Sequence, residues 1–245
     1  MTKKKRIILS VSLGILEIVV IVALLLISYL GSSYKANDSE VNTYLKESNV
    51  TIKELDRRTT AFVPEIPKAG FIFYPGGKVE AEAYHPLMAE CAKNDILSII
   101  VEMPFNLAVF NINGANGIKE QYPDIEKWYI GGHSLGGSMA SSYLSKNQDD
   151  FCGLILLGSY STVDFSDTSL KVLSIYGEKD EVMNREKYEK YKTNLPAYYT
   201  EHIVIGGNHA GFGMYGEQLG DGEATITNEK QIKETTLEIS NLMEK

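Results

Sequence analysis

Trp128-Tyr129-Ile130-Gly131-Gly132-His133-Ser134-Leu135-Gly136-Gly137, continuing through Ser138-Met139-Ala140, decides the fold. An apolar run ends at two glycines, a serine follows, and two more glycines open a stretch of small residues. Ser134 sits in the G-x-S-x-G pattern Gly132-His133-Ser134-Leu135-Gly136. In a nucleophile elbow the strand turns so sharply into a helix that the serine backbone is strained. Positions two before and two after it must lack side chains, because strand and helix backbones nearly touch. A glycine-rich β-to-α turn of another α/β protein is the competing reading, and the surrounding segments must separate the two.

Outward from the elbow, the same grammar repeats. Ala69-Gly70-Phe71-Ile72-Phe73-Tyr74 is a continuous apolar strand closed by Pro75-Gly76-Gly77-Lys78. Continuous rather than alternating hydrophobicity is what a strand covered on both faces requires. A helix is expected over Tyr84 to Lys93, with Leu87, Met88, Cys91 and Ala92 on one face. Strands follow at 96–101, 128–131, 151–157, 170–176 and 198–205, with helices at 134–146, 185–192 and from about Thr227 onward. Two short strands, 51–55 and 60–63, precede them around the Asp56-Arg57-Arg58 turn. Strands alternating with helices on short connections specify an open, mostly parallel sheet with helices on both faces, an α/β class.

The N-terminal end reads differently. Lys3, Lys4, Lys5 and Arg6 precede an apolar run from Ile7 to Leu30. At about 1.5 Å per residue this run gives roughly 36 Å of helix, enough to cross a bilayer core of about 30 Å. Its length favours an uncleaved anchor over a signal peptide, and the basic cluster is expected to stay cytoplasmic, which places the rest outside. A charged Glu17 in mid-span would cost a few kcal/mol, so it must be neutralised or paired. Residues 1–36 are read as basic end, anchor and start of a tether, and residues 37–245 as the catalytic domain. The polar stretch from Gly31 to about Asn49 is read as that tether. The first 36 residues carry a net charge of +4, which leaves −12 on the remainder of a chain whose total is −8. Such an acidic domain argues against nucleic acid or anionic lipid as its ligand. Cys91 and Cys152 lack metal-site spacing and read as two buried thiols.

A serine hydroxyl is a poor nucleophile until a base takes its proton. Of four histidines, His209 lies in Gly206-Gly207-Asn208-His209-Ala210-Gly211-Phe212-Gly213, a loop beyond a strand's C-terminal end, where catalysts gather in such sheets. His133 adjoins Ser134 and is expected to point to the wrong side of the turn. His202 reads as a packed or surface residue inside a strand, and His85 as a cap or surface residue at a helix start. The acid that orients the base is assigned to Asp180, directly after Leu173-Ser174-Ile175-Tyr176-Gly177, with Glu178 and Glu181 as rivals. The order Ser134, Asp180, His209 is that of the hydrolase elbow. An oxyanion needs two backbone donors: Leu135 N–H at the helix start, and Gly77 or Lys78 from the loop after the first buried strand.

Several motifs together resemble the α/β-hydrolase superfamily, and more closely its small dienelactone-hydrolase-like branch, the alpha/beta hydrolase fold-5 family. They are Phe73-Tyr74-Pro75-Gly76-Gly77-Lys78-Val79, Met103-Pro104-Phe105-Asn106-Leu107-Ala108, Gly131 to Gly137, Tyr176-Gly177-Glu178-Lys179-Asp180, Gly207-Asn208-His209-Ala210-Gly211-Phe212 and Tyr215 to Gly222. The resemblance covers most of residues 50–245 and implies a serine-hydrolase fold with Ser134, Asp180 and His209 as triad. Dienelactone hydrolases use a cysteine nucleophile, so Ser134 argues against that specific reaction.

Only Ser159 to Ser169 lies between the strand after the elbow and the acid-bearing strand, too little for a helical lid. A small ester or thioester in an open cleft is therefore expected, with Tyr84, Phe105, Tyr160, Phe212 and Tyr215 as candidate walls. Asp221 and Glu223 fall short of the six to eight oxygens a calcium site takes, so neither metal nor cofactor is expected. The alternatives to hydrolysis are acyl transfer on the same triad and a non-catalytic binding module.

Overall fold

The computed structural model describes residues 3–244. The chain divides into two compact units after Ser33. The first is one helix, α1 (Lys3–Gly31), whose segment Leu13–Gly31 is long and apolar enough to cross a membrane.

The second unit carries an eight-stranded sheet. Its strands are β1 (Thr51–Asp56), β2 (Thr59–Val63), β3 (Ala69–Tyr74), β4 (Ile96–Val101), β5 (Trp128–His133), β6 (Gly153–Leu157), β7 (Lys171–Gly177) and β8 (Thr200–Val204), in the order β1-β2-β4-β3-β5-β6-β7-β8. β1 and β2 pair antiparallel at one edge, and every pairing from β4 to β8 is parallel. The helices are α2 (Asp38–Ser48), α3 (His85–Lys93), α4 (Leu135–Leu144), α5 (Arg185–Tyr191) and α6 (Asn228–Glu244).

The continuous apolar strands are covered on both faces. Phe71 and Phe73 face the layer of α2, α3 and α6, whereas Ile72 and Tyr74 face the α4 layer, and all four are fully buried. Each such side chain contributes about 1.5–3 kcal/mol relative to an exposed one. Gly70 is paired with Trp128 across β3 and β5, and a Cβ on Gly70 would collide with the indole ring.

The stretch expected to be a tether is folded. Tyr34 forms a bridge with Val79, and α2 is capped by Asn37, whose side chain accepts the Glu40 N–H. Val41 is buried, with Tyr44 and Leu45 packed on the same core. Those three positions recur at helical spacing, and the polar residues between them concealed the face. Between β6 and β7 no helix forms, so no helical lid stands over the carboxyl ends of the strands.

Candidate active site

The carboxyl ends of β3, β5, β6, β7 and β8 supply the site, as expected where a parallel sheet leaves backbone groups unpaired. Ser134 follows β5 with φ 51 and ψ −121, the left-handed region that a side chain rarely adopts. Such a conformation costs about 1–3 kcal/mol and persists only where surroundings dictate it. Two contacts do so: Ser134 N–H donates to the Leu157 carbonyl at 2.9 Å, and Ser159 Oγ donates to the Ser134 carbonyl at 2.7 Å. A Cβ on Gly132 or Gly136 would collide with the Tyr74 carbonyl, so both elbow glycines are required by close approach.

His209 and Asp180 meet. The Nδ1 of His209 lies 2.8 Å from Asp180 Oδ2, and both side chains are sealed from solvent. Asp180 Oδ1 accepts the N–H groups of Val182 and Met183 at 3.0 and 2.8 Å, which fixes the carboxylate. The rivals lie elsewhere: Glu178 accepts the Gly206 N–H and pairs with Lys179, and Glu181 is exposed. The Nε2 of His209 is buried with no hydrogen-bond partner among the described residues. Gly158 lies against this pair, where a Cβ would meet His209 Nδ1 and Asp180 Oδ2. The two residues flanking Gly158 are the ones bonded to the Ser134 backbone, so the serine and the His–Asp pair share one anchoring segment.

Two residues pin the His209 loop. Asp221 accepts the N–H groups of His209 and Glu181 through Oδ1 and that of Ala210 through Oδ2. Gln231 of α6, fully buried, accepts the Asn208 N–H and donates to the Asn208 carbonyl. The Asp221 carboxylate thus serves backbone donors, and the described residues contain no cluster able to hold a metal. Neither role was legible in sequence, where Asp221 reads as one of two carboxylates in a turn, too few for a calcium site.

His133 is fully buried beside the base. Its ring lies against that of His209, with centroids 4.3 Å apart. Tyr84 Oη accepts the Gly76 N–H at 3.2 Å and is hydrogen-bonded to His133 Nδ1 at 2.8 Å. Burial first, and His209 second, pull the His133 imidazole well below its ordinary range, so it stays neutral. Its Nε2 makes no hydrogen bond of good geometry, although the His209 backbone is near enough to favour a proton there. His133 is thus a buried support of the His209 ring. His85 also differs from a surface residue: it packs edge-on against Phe62, and burial pulls it down to about 4. His202 lies in β8 and bonds to Glu234 at 2.8 Å.

The two candidate oxyanion donors from the β3 loop separate. Lys78 N–H donates to the Asn106 carbonyl at 2.7 Å. Gly77 N–H has no such partner among the described residues, and Gly77 lies directly against Leu135 at the start of α4. Three candidate walls prove to be core: Tyr84, Phe212 and Tyr215 are buried in the layer under α3 and α6. Aromatic side chains at a loop are indistinguishable from core by sequence, and here Phe212 packs on His133. Phe105 is 56% exposed, and Tyr160 is half-buried, stacked on Tyr191. Cys91 is buried, its thiol pushed up to about 12 by burial, whereas Cys152 is only partly buried; both are free.

A strained serine at a β-to-α elbow, set in a doubly covered parallel sheet with a buried His–Asp pair beyond it, defines the class of α/β hydrolases. The family profile described as the alpha/beta hydrolase family matches residues 70–233, and the chain belongs to that family. Solved structures share the fold. TT1662 from Thermus thermophilus superposes with a TM-score of 0.58 at 14% identity, covering 80% of this chain and 99% of that one. Est1E from Butyrivibrio proteoclasticus gives 0.57 at 13% identity, covering 80% and 99%. A protein described as a predicted CIB-like hydrolase from Thermoplasma acidophilum gives 0.57 at 16% identity, covering 78% and 98%. No protein of curated function matches the sequence significantly.

Proposed function

We propose that this hydrolase is a membrane-anchored serine esterase cleaving a carboxylic ester or thioester through Ser134, His209 and Asp180. The observation that carries this reading is the buried His209 Nδ1–Asp180 Oδ2 contact at 2.8 Å, with the opposite nitrogen of the ring unpartnered. Asp180 holds the tautomer that leaves His209 Nε2 as acceptor, which is what a base for a serine hydroxyl needs. Ser134 Oγ attacks the carbonyl carbon as its proton passes to Nε2. The oxyanion is met by the N–H groups of Leu135 and Gly77, aided by the partial positive charge at the start of α4. The leaving alcohol or thiol takes the proton from His209, and water then repeats the sequence on the acyl-enzyme. α1 is assigned as the anchor, with Lys3, Lys4, Lys5 and Arg6 on the cytoplasmic side and the catalytic unit outside.

The test is turnover of p-nitrophenyl esters of increasing acyl length by the full-length protein in detergent, with added alcohols as competing acceptors. Free acid as the only product, abolished in Ser134→Ala, supports the hydrolase. Predominant ester exchange would redirect the reading to acyl transfer, and no turnover of any ester by folded protein would remove it.

A further inference from the structure

The segment Met103 to Ile118 contains no ionisable side chain, in a chain whose residues are 23% charged. It is not buried for that reason. Phe105, Val109 and Phe110 are 56%, 45% and 55% exposed, and Phe105 packs edge-on against Phe110 with centroids 5.7 Å apart. Phe105 and Asn106 both hold positive φ, 56 and 54. A bulky side chain pays strain there, and the turn presents the Phe105 ring to solvent rather than to the core.

The place of this rim matters more than its area. Lys78 N–H donates to the Asn106 carbonyl, and the Lys78 carbonyl accepts the Tyr34 N–H, both at 2.7 Å. One hydrogen bond therefore joins the rim to the β3 loop carrying Gly77, and a second joins that loop to Tyr34. On the other side of Tyr34, its Oη accepts the Leu219 N–H, and Leu219 is 91% exposed. Tyr34 is also where the folded unit begins: only Ser32 and Ser33 separate it from Gly31, the last residue of α1. Fully extended, that link spans about 11 Å at most. The covalent link alone limits how far Tyr34 can lie from Gly31, the end of a helix long and apolar enough to cross a bilayer.

From these placements we propose that Phe105, Val109 and Phe110 dip into the interface of that bilayer. The site then draws its substrate from it: an acyl ester resident in the membrane, not a water-borne one. This rests on the anchored-esterase reading above. Exposed aromatic and aliphatic side chains with no charges among them suit the headgroup–acyl boundary, and the acidic remainder of the unit does not.

The test uses the full-length protein in phosphatidylcholine vesicles, with tryptophan as the probe. The native Trp128 is buried and serves as internal background. Phe110→Trp is compared with Ile66→Trp, which is exposed and lies before β3, at the opposite end of the sheet. With brominated phosphatidylcholine, the fluorescence added by Phe110→Trp is expected to fall by half or more, and that added by Ile66→Trp to stay unchanged. Equal quenching of the two, or none, overturns the docking, including the case in which a second copy of the chain covers the rim. A second arm takes the ratio of p-nitrophenyl palmitate turnover in vesicles to p-nitrophenyl acetate turnover in solution. The Val109→Ser/Phe110→Ser variant is expected to lower that ratio about tenfold, and an unchanged ratio contradicts the proposal. Quenching is read without catalysis. Docking without turnover would sink the esterase reading, and turnover without docking would sink this one.

Discussion

Gly158→Ala tests the site with a single methyl group. Gly158 holds φ +49, and a Cβ there would lie 2.9 Å from His209 Nδ1 and 3.1 Å from both Asp180 Oδ2 and His209 Cε1. Ordinary contact distances are about 3.5–4.0 Å, so ring and carboxylate must retreat by roughly half an ångström. The backbone conformation alone costs alanine about 1–2 kcal/mol. Gly117→Ala separates the two effects, because Gly117 holds φ +76 with nothing within 4 Å of its Cβ position. Both variants are expected to lose about 2–8 °C of Tm, at roughly 2–4 °C per kcal/mol for a domain of this size. Only Gly158→Ala is expected to lose kcat on p-nitrophenyl acetate, by about 10–100-fold, since a misplacement near 1 Å costs about 100-fold. Melting curves and initial rates on the two proteins decide it. Equal kcat values in both variants would refute the placement of the His–Asp pair as the working base.

Tyr84→Phe removes one hydroxyl and leaves the Gly76 N–H and His133 Nδ1 buried without a partner. It should cost about 2–6 kcal/mol in denaturant unfolding, at about 1–3 kcal/mol for each of the two orphaned groups, with kcat falling because the Gly77 loop and the His209 ring lose a shared support. Asp221→Ala strips the carboxylate from the N–H groups of His209, Ala210 and Glu181, and steady-state rates should show kcat falling more than about tenfold with smaller loss of Tm. His85 gives a pH dependence. Burial holds it at about 4 in the folded state against about 6.5 unfolded, so the unfolded chain binds the extra proton as pH drops. Its contribution is intact above pH 6.5 and is lost progressively down to pH 4, by roughly 3 kcal/mol in all. His85→Phe should flatten the decline of unfolding free energy over that window, and an unchanged slope would show that His85 does not carry it.

What the sequence made legible was whatever depends on runs and order. The doubly covered strands announce themselves as unbroken apolar stretches such as Phe71 to Tyr74, and short connections leave a parallel sheet as their arrangement. Asp180 stood out from Glu178 and Glu181 by its spacing from β7, and the structure places it, not them, against His209. What depends on side-chain contacts across the fold was hidden. The His133 ring lies on that of His209, a contact between residues far apart in sequence. Tyr84, Phe212 and Tyr215 read equally as pocket walls or as core, because an aromatic ring beside a glycine loop has the same sequence signature in core and cleft. The helix Asp38–Ser48 was hidden by its polar residues, and its docking through Val41 turns an expected tether into part of the domain. Asp221 and Gln231 act on backbone groups across the fold, which no local pattern encodes.

The most direct test of the central claim is covalent labelling of the full-length protein with a fluorophosphonate, followed by peptide mapping. A serine activated by His209 should be phosphonylated once, at Ser134, with labelling abolished in Ser134→Ala and slowed by orders of magnitude in His209→Ala. Absence of label on folded protein, or label on another residue that persists in Ser134→Ala, would contradict the account.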